Sequence, residues 1–212
     1  MARLFLDAQH GLCNRLRAMA SGYGVARRTG RELVVIWRPD AHCEAQLSDL
    51  LDYEGPVVET DLAERLRADC GLEYNYMEIE AGAVHEAPVL ARAQADYAGD
   101  LYIRSAYPLK GPKVDWACDQ HFLRHLRPSA PVLSLMEGLE PPFDLAAHIR
   151  MAGGKAHEHL PYESAANWPE HRHRELAQWR GLSHVDRFIA RIDALLGGSE
   201  RLFVAADLPE TY

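Results

Sequence analysis

Phe143-Asp144-Leu145-Ala146-Ala147-His148-Ile149-Arg150-Met151-Ala152-Gly153-Gly154 is the stretch on which the fold turns. Its apolar run, Leu145 to Ile149, is broken only by His148 and stops at Arg150. That pattern predicts a buried strand delivering a His and an Arg to its C-terminal end, followed by a loop at Gly153-Gly154 whose backbone can approach a ligand. In open parallel sheets, ligands bind outside the carboxyl ends of the strands. A guanidinium matches a diphosphate because its planar fork donates to two oxygens at once. Arg150 is therefore a candidate phosphate ligand. The plainer alternative is an arginine paired with a surface carboxylate, and these residues taken alone favour it.

Working outward, Leu202-Phe203-Val204-Ala205-Ala206 reads as a second buried strand with Asp207 at its C-terminal end. Asp207 either faces a ligand or caps a helix starting at Pro209. Between the two strands, 169–179 reads as a helix. Ser183 is placed to cap a longer one whose apolar stripe is Val185, Phe188, Ile189, Ile192 and Leu195-Leu196. Pro141-Pro142 marks the candidate domain boundary.

The N-terminal part repeats the strand–helix–strand logic. Leu4-Phe5-Leu6 is a short strand and Gln9 to Cys13 a turn. Asn14 is placed to cap a helix to about Arg28, which Gly30 stops. Leu33-Val34-Val35-Ile36-Trp37 is an unbroken apolar strand, as expected for a parallel sheet covered on both faces. Arg15 and Arg17 at the helix start, with its free backbone N–H groups, form a second candidate anion site, or Arg17 simply faces solvent. Further elements are a short helix at 47–51, strands at 57–58 and 101–103, and helices at 62–68, 118–126 and 129–136. The stretch 71–99 carries no clear pattern.

With 212 residues, 48% of them hydrophobic, the chain can build one large α/β domain or two small ones. A formal net charge of -8 argues against general nucleic-acid or anionic-membrane binding. No run is long enough for a membrane span and no signal-peptide pattern is present, so a cytoplasmic protein is expected. Cys13, Cys43, Cys70 and Cys118 form no C-x-x-C pair and read as reduced, mostly buried thiols. His157-Glu158-His159 and His171-Arg172-His173 admit a metal site, and with it a metal-dependent hydrolase as a weaker alternative function, though a solvated loop explains them better. His121 and His125 have i, i+4 spacing, but Phe122 stands where a metalloprotease glutamate would be. Gly153-Gly154-Lys155 lacks the Ser/Thr and the first glycine of a phosphate loop.

Taken together, these motifs resemble the fucosyltransferase superfamily of nodulation-type, core-type and protein O-fucosyltransferases. Gly11-Leu12-Cys13-Asn14-Arg15-Leu16-Arg17-Ala18 and the Trp-ending strand at Trp37 resemble its N-terminal half. His148-x-Arg150 is similar to its H-x-R motif, and Phe203-Val204-Ala205-Ala206-Asp207 to its F-x-A-T-D motif. The segment Phe122 to Ser129 fits the region before the H-x-R strand.

The resemblance implies an α/β, GT-B-like fold of two Rossmann-like parallel-sheet domains. Residues 1–140 would form the acceptor-side domain. Residues 141–212 would begin the nucleotide-sugar domain and leave it incomplete, either as a truncated transferase or as a binding module completed by a second copy of the chain. It also implies inverting transfer of fucose or a related sugar from a GDP-sugar to a glycan or other hydroxyl acceptor, with no metal and no cofactor beyond the donor. By this resemblance Arg150 holds the diphosphate and stabilises the leaving nucleotide. His148 and Gly153 adjoin the nucleotide, Asp207 sits in the donor site, and Asn14 and Arg15 line the cleft. No general base is identified, although Glu158 and Glu163 are loop carboxylates of plausible reach.

Overall fold

The computed structural model describes residues 1–78, 80–140, 142–149, 169–198 and 200–206. The chain divides into two compact units, Met1–Glu137 and Gly138–Tyr212. The first contains β1 (Arg3–Ala8), α1 (Leu12–Arg28), β2 (Glu32–Ile36), α2 (Leu47–Leu50), β3 (Leu51–Asp52), β4 (Val57–Val58) and α3 (Leu62–Asp69). It continues with β5 (Leu72–Asn75), β6 (Leu101–Ser105), α4 (Trp116–His125), β7 (Arg127–Pro128) and α5 (Ala130–Leu135). The second contains β8 (Leu145–Ile149), α6 (Glu170–Leu182), α7 (Val185–Leu195) and β9 (Leu202–Ala206).

The first unit is built on a five-stranded parallel sheet in the order β4-β2-β1-β6-β5. β1 is central and buried along almost its whole length, which is why its sequence runs apolar without alternation. Its even-numbered side chains, Leu4, Leu6 and Ala8, join Met19, Val25 and Trp37 in the larger core. Phe5 faces the other layer, with Val34, Ile36, Tyr102 and Ala63 of α3. The sheet grows from β1 through β2 to β4, then resumes on the far side of β1 with β5 and β6. A crevice at the carboxyl ends of such a reversal is the usual ligand position in an open α/β sheet.

Several local expectations are corrected. The first helix begins at Leu12 with Gly11 as its N-cap, so Asn14 lies inside the first turn and does not cap it. His184, not Ser183, caps α7, its ring accepting from the Asp186 N–H. The unassigned stretch after residue 70 contributes β5, which pairs with β6. Cys43, Cys70 and Cys118 are half-buried and Cys13 is exposed, so the thiols are less buried than expected; all four are free. Ser129 does cap α5, accepting from Val132 N–H. No helix among the described residues is long and apolar enough to cross a membrane.

In the second unit β8 and β9 pair in parallel, Leu145 with Leu202 through Ile149 with Ala206. Phe143 and Phe203 stack 5.4 Å apart, and Arg201 closes the strand entrance by donating its N–H to Asp144 Oδ2 at 2.8 Å. The apolar stripe of α7 is present, but no residue of that helix is fully buried, and Ile189 and Leu195 remain half exposed.

One buried charge weakens the first unit. Asp119 on α4 is 5% exposed, and its Oδ1 has no hydrogen-bond partner among the described residues. A Cβ on Gly24 of α1 would sit 3.0 Å from that oxygen, so the two helices meet closely there. Burial, and then the charge of Asp115, push the Asp119 carboxyl up from 3.8 to about 6. A raised carboxylate pKa means the fold favours the neutral form. The penalty is therefore absent below the unfolded value and complete above the folded one. Asp119→Asn is expected to stabilise the protein at pH 8 by roughly 1–3 kcal/mol. The gain should shrink to nothing as the pH falls to about 4. Urea midpoints of both proteins at the two pH values check this, and a pH-independent difference would contradict it.

Candidate functional site

The carboxyl ends of β1, β2 and β6 carry the densest polar arrangement among the described residues. Asp7, the penultimate residue of β1, is 1% exposed. Its Oδ1 accepts from Gln9 Nε2 at 2.6 Å. Its Oδ2 accepts from Arg104 Nη1 at 2.8 Å, Tyr102 Oη at 2.9 Å and Arg38 Nη2 at 3.1 Å. Arg104 also forks onto Glu80, with Nε at 2.7 Å from Oε2 and Nη2 at 2.6 Å from Oε1. Burial disfavours the Arg104 charge, but Glu80 and Asp7 outweigh it and hold the guanidinium firmly protonated. Burial and the Asp7 charge push the Tyr102 hydroxyl far up, so it stays a donor.

Behind this layer lies Arg15, 0% exposed. Its Nε donates to His10 O at 2.6 Å and its Nη1 to Arg38 O at 2.8 Å. Its Nη2 lies 2.8 Å from Asp40 Oδ2, an ion pair rather than an aligned hydrogen bond. The guanidinium carbon stacks 4.8 Å over the Trp37 ring. Asp40 in turn accepts from the N–H groups of His42 and Cys43 at 2.8 and 3.1 Å. Arg15 therefore ties the loop after β1 to the loop after β2. As placed, its side chain is enclosed by these partners. Asn14 is half-buried, and its Oδ1 accepts from Arg17 Nη2.

Beside these strand ends sits a group of rings that the sequence reading did not single out. His10 lies edge-on to His42, with centroids 5.2 Å apart, and to Tyr107 at 6.3 Å. His85 meets Tyr107 at 4.7 Å. Burial, and then the charge of His42, lower the His10 pKa below its ordinary 6.5; Asp40 and Glu80 oppose this, and Arg104 adds to it. The available signal was position: His10 falls two residues after a buried parallel strand, where such sheets hold their ligands.

In the second unit His148 lies on β8 opposite Ala205 and is exposed, while its neighbours Ala147 and Ile149 are buried. Arg150, Gly153 and Asp207 lie outside the described residues, as do His157, Glu158, His159 and Glu163. His171 and His173 both fall on α6, where residues two apart point to different faces of a helix. His121 and His125 stack on α4 with centroids 4.0 Å apart. Among the described residues, no group of three or more His, Cys, Asp or Glu is placed to hold a metal ion.

The chain is similar over 100% of its length to the crystal structure of fucosyltransferase NodZ from Bradyrhizobium. It covers 73% of that chain at 14% identity, with a TM-score of 0.51. It is equally similar to NodZ alpha-1,6-fucosyltransferase co-crystallised with GDP, again at 14% identity, 73% coverage and a TM-score of 0.51. No protein-family model and no curated protein sequence matches the chain. At this identity the likeness establishes the fold: mixed α/β with a parallel five-stranded sheet, Rossmann-like, as in GT-B glycosyltransferases.

If Arg15 is a brace and not a ligand contact, Arg15→Met should cost stability first. Removing it leaves Asp40 and two carbonyls without their partner, an effect of about 3 kcal/mol. Arg15→Lys should recover little, because a single ammonium cannot reach the three acceptors in one plane. Urea denaturation of the three proteins checks this; equal midpoints would rule the brace out.

Proposed function

We propose that the chain is a glycosyltransferase that moves fucose or a related sugar from a GDP-sugar to an acceptor hydroxyl, with inversion at the anomeric carbon. The observation that carries this reading is the full-length fold likeness to the two fucosyltransferase structures. One of those was co-crystallised with GDP, which makes GDP the first nucleotide to try here. The order of motifs supports it. His148-Ile149 ends β8 and Phe203-Val204-Ala205-Ala206 ends β9, and in the sequence Arg150 and Asp207 come next.

In this reading Arg150 binds the donor diphosphate and offsets the charge that develops on the departing nucleotide. His148 contributes a neighbouring polar contact from the exposed face of β8, Gly153 allows close backbone approach, and Asp207 completes the donor site. Asn14 contributes from the acceptor-side unit, and Arg15 acts indirectly by fixing loops. A second reading is a binding module completed by a second copy of the chain. The half-exposed Ile189 and Leu195 of α7, together with exposed Trp179 on α6, favour it.

Thermal melting with GDP, GDP-fucose or UDP, each with EDTA present, separates the two. A ligand at about a hundredfold over its dissociation constant adds roughly 2.7 kcal/mol. The transferase reading expects stabilisation by GDP and GDP-fucose and not by UDP. The binding-module reading expects concentration-dependent dimerisation and no nucleotide effect. Arg150→Ala is expected to abolish GDP binding while keeping the melting temperature; calorimetry showing unchanged affinity would overturn the assignment.

A further inference from the structure

The first unit holds a cleft of about 630 Å³ between the α2–β3 segment and α5, which the proposed transfer does not use. Its walls are tied together by the chain itself. β3 and β7 pair antiparallel, Leu51 with Pro128 and Asp52 with Arg127. The Ser129 N–H donates to Leu50 O at 3.0 Å, and its Oγ donates to Asp49 O at 2.6 Å. The Leu47 N–H, at the start of α2, donates to Glu59 Oε1 at 3.1 Å. These bonds fix the cleft before any ligand arrives, as is usual for small-molecule sites, and its volume lies within their range of roughly 300–1,000 Å³.

Its lining combines two features. Leu47, Tyr53, Val57 and Leu133 make much of it apolar, and Leu133 is left 52% exposed. The charged side chains are both acids, Asp52 and Glu59, and no lysine, arginine or histidine lines the cleft. Neither carboxylate has an ion-pair partner among the described residues. Arg127 stands opposite Asp52 in the strand register, but it is exposed and forms no bridge to it. Glu59 is half-buried and oriented by the Leu47 N–H on Oε1, while Oε2 accepts no hydrogen bond among the described residues. An anion would meet two like charges and no cation here. A neutral apolar ligand would strip water from the carboxylates without compensation. A cation on an apolar body answers both features, and the face of the Tyr53 ring attracts the same charge.

We propose that this cleft binds a small organic cation, a primary ammonium on an aromatic or aliphatic body, with Glu59 and Asp52 receiving the ammonium and Leu47, Val57 and Leu133 covering the body. Glu59 makes the directed contact, because its carboxylate is already held in place on one side. Asp52 is exposed and adds attraction of longer range, which salt screens. The site lies wholly within the first unit and stands whether or not the transferase reading does.

The test uses the full chain at neutral pH and low salt, with phenethylammonium as the probe and phenethyl alcohol and phenylacetate as its neutral and anionic counterparts. Ligand-detected magnetic resonance gives the affinities. Phenethylammonium should bind about tenfold more tightly than the alcohol, and phenylacetate should not bind. Glu59→Gln keeps an oxygen for the Leu47 N–H, so the fold is expected to survive. It should weaken the ammonium about tenfold and leave the alcohol unchanged. Asp52→Asn should weaken the ammonium about threefold, and Leu133→Ala should weaken ammonium and alcohol alike by a similar factor. The assignment is overturned if the alcohol binds as tightly as the ammonium, or if no probe binds at about 10 mM. It is equally overturned if Glu59→Gln melts like the wild type and keeps its ammonium affinity. Should Glu59→Gln not fold, unchanged ammonium affinity in both Asp52→Asn and Leu133→Ala overturns it instead.

Discussion

The first unit depends on one buried cation. Arg15 sits at zero exposure, and a guanidinium in that position costs several kcal/mol in lost hydration unless every side of it is answered. Here it is answered by two main-chain carbonyls, a carboxylate and an aromatic face. The partners come from two pieces of chain: His10 after β1, and Trp37, Arg38 and Asp40 directly after β2. The positions of two loops follow from satisfying a single side chain. Gly11 contributes by starting α1 without a side-chain cap, which lets the helix begin close behind His10.

The parts of this fold that can be read from sequence are those where burial alone dictates residue type. β1 and β2 lie inside a doubly covered parallel sheet, so their apolar runs have one interpretation. β8 and β9 announced themselves in the same way. β5 did not, because it is a four-residue edge strand with only Asn75 buried, and Leu-Glu-Tyr-Asn has no run to detect. Caps were misplaced by a few residues at α1 and by one at α7. A capping side chain and a first-turn side chain are chemically alike, and the choice is made by the incoming backbone. The α7 stripe states which face of the helix can be buried; whether a neighbour buries it is a tertiary matter.

The candidate site divides along the same line. The exposed place of His148 on β8 was legible, because an isolated polar residue in an apolar strand needs a reason. The role of Arg15 was not, since buried and ligand-facing arginines look identical in sequence and differ only in whether the surrounding loops supply acceptors. His10 was passed over because a residue between a strand and a glycine turn reads as turn chemistry. Only the sheet order shows that it stands at a strand-order reversal.

Charge compensation then separates what the two motif groups are suited to do. At the carboxyl ends of β1, β2 and β6, the guanidinium groups of Arg15, Arg38 and Arg104 are each matched by at least one carboxylate, and Arg38 and Arg104 by two each. Bringing a diphosphate there would place it against Asp7, Asp40 and Glu80 as much as against the arginines, and the attraction would largely cancel. An anion-binding role therefore points away from these three arginines, and the H-x-R segment at 148–150 is another place where the sequence sets an arginine near glycines. A hydroxyl faces no such penalty among paired charges. It gains from nearby dipoles without having to displace an existing ion pair, and so this end of the first unit's sheet suits an uncharged polar ligand better than an anion.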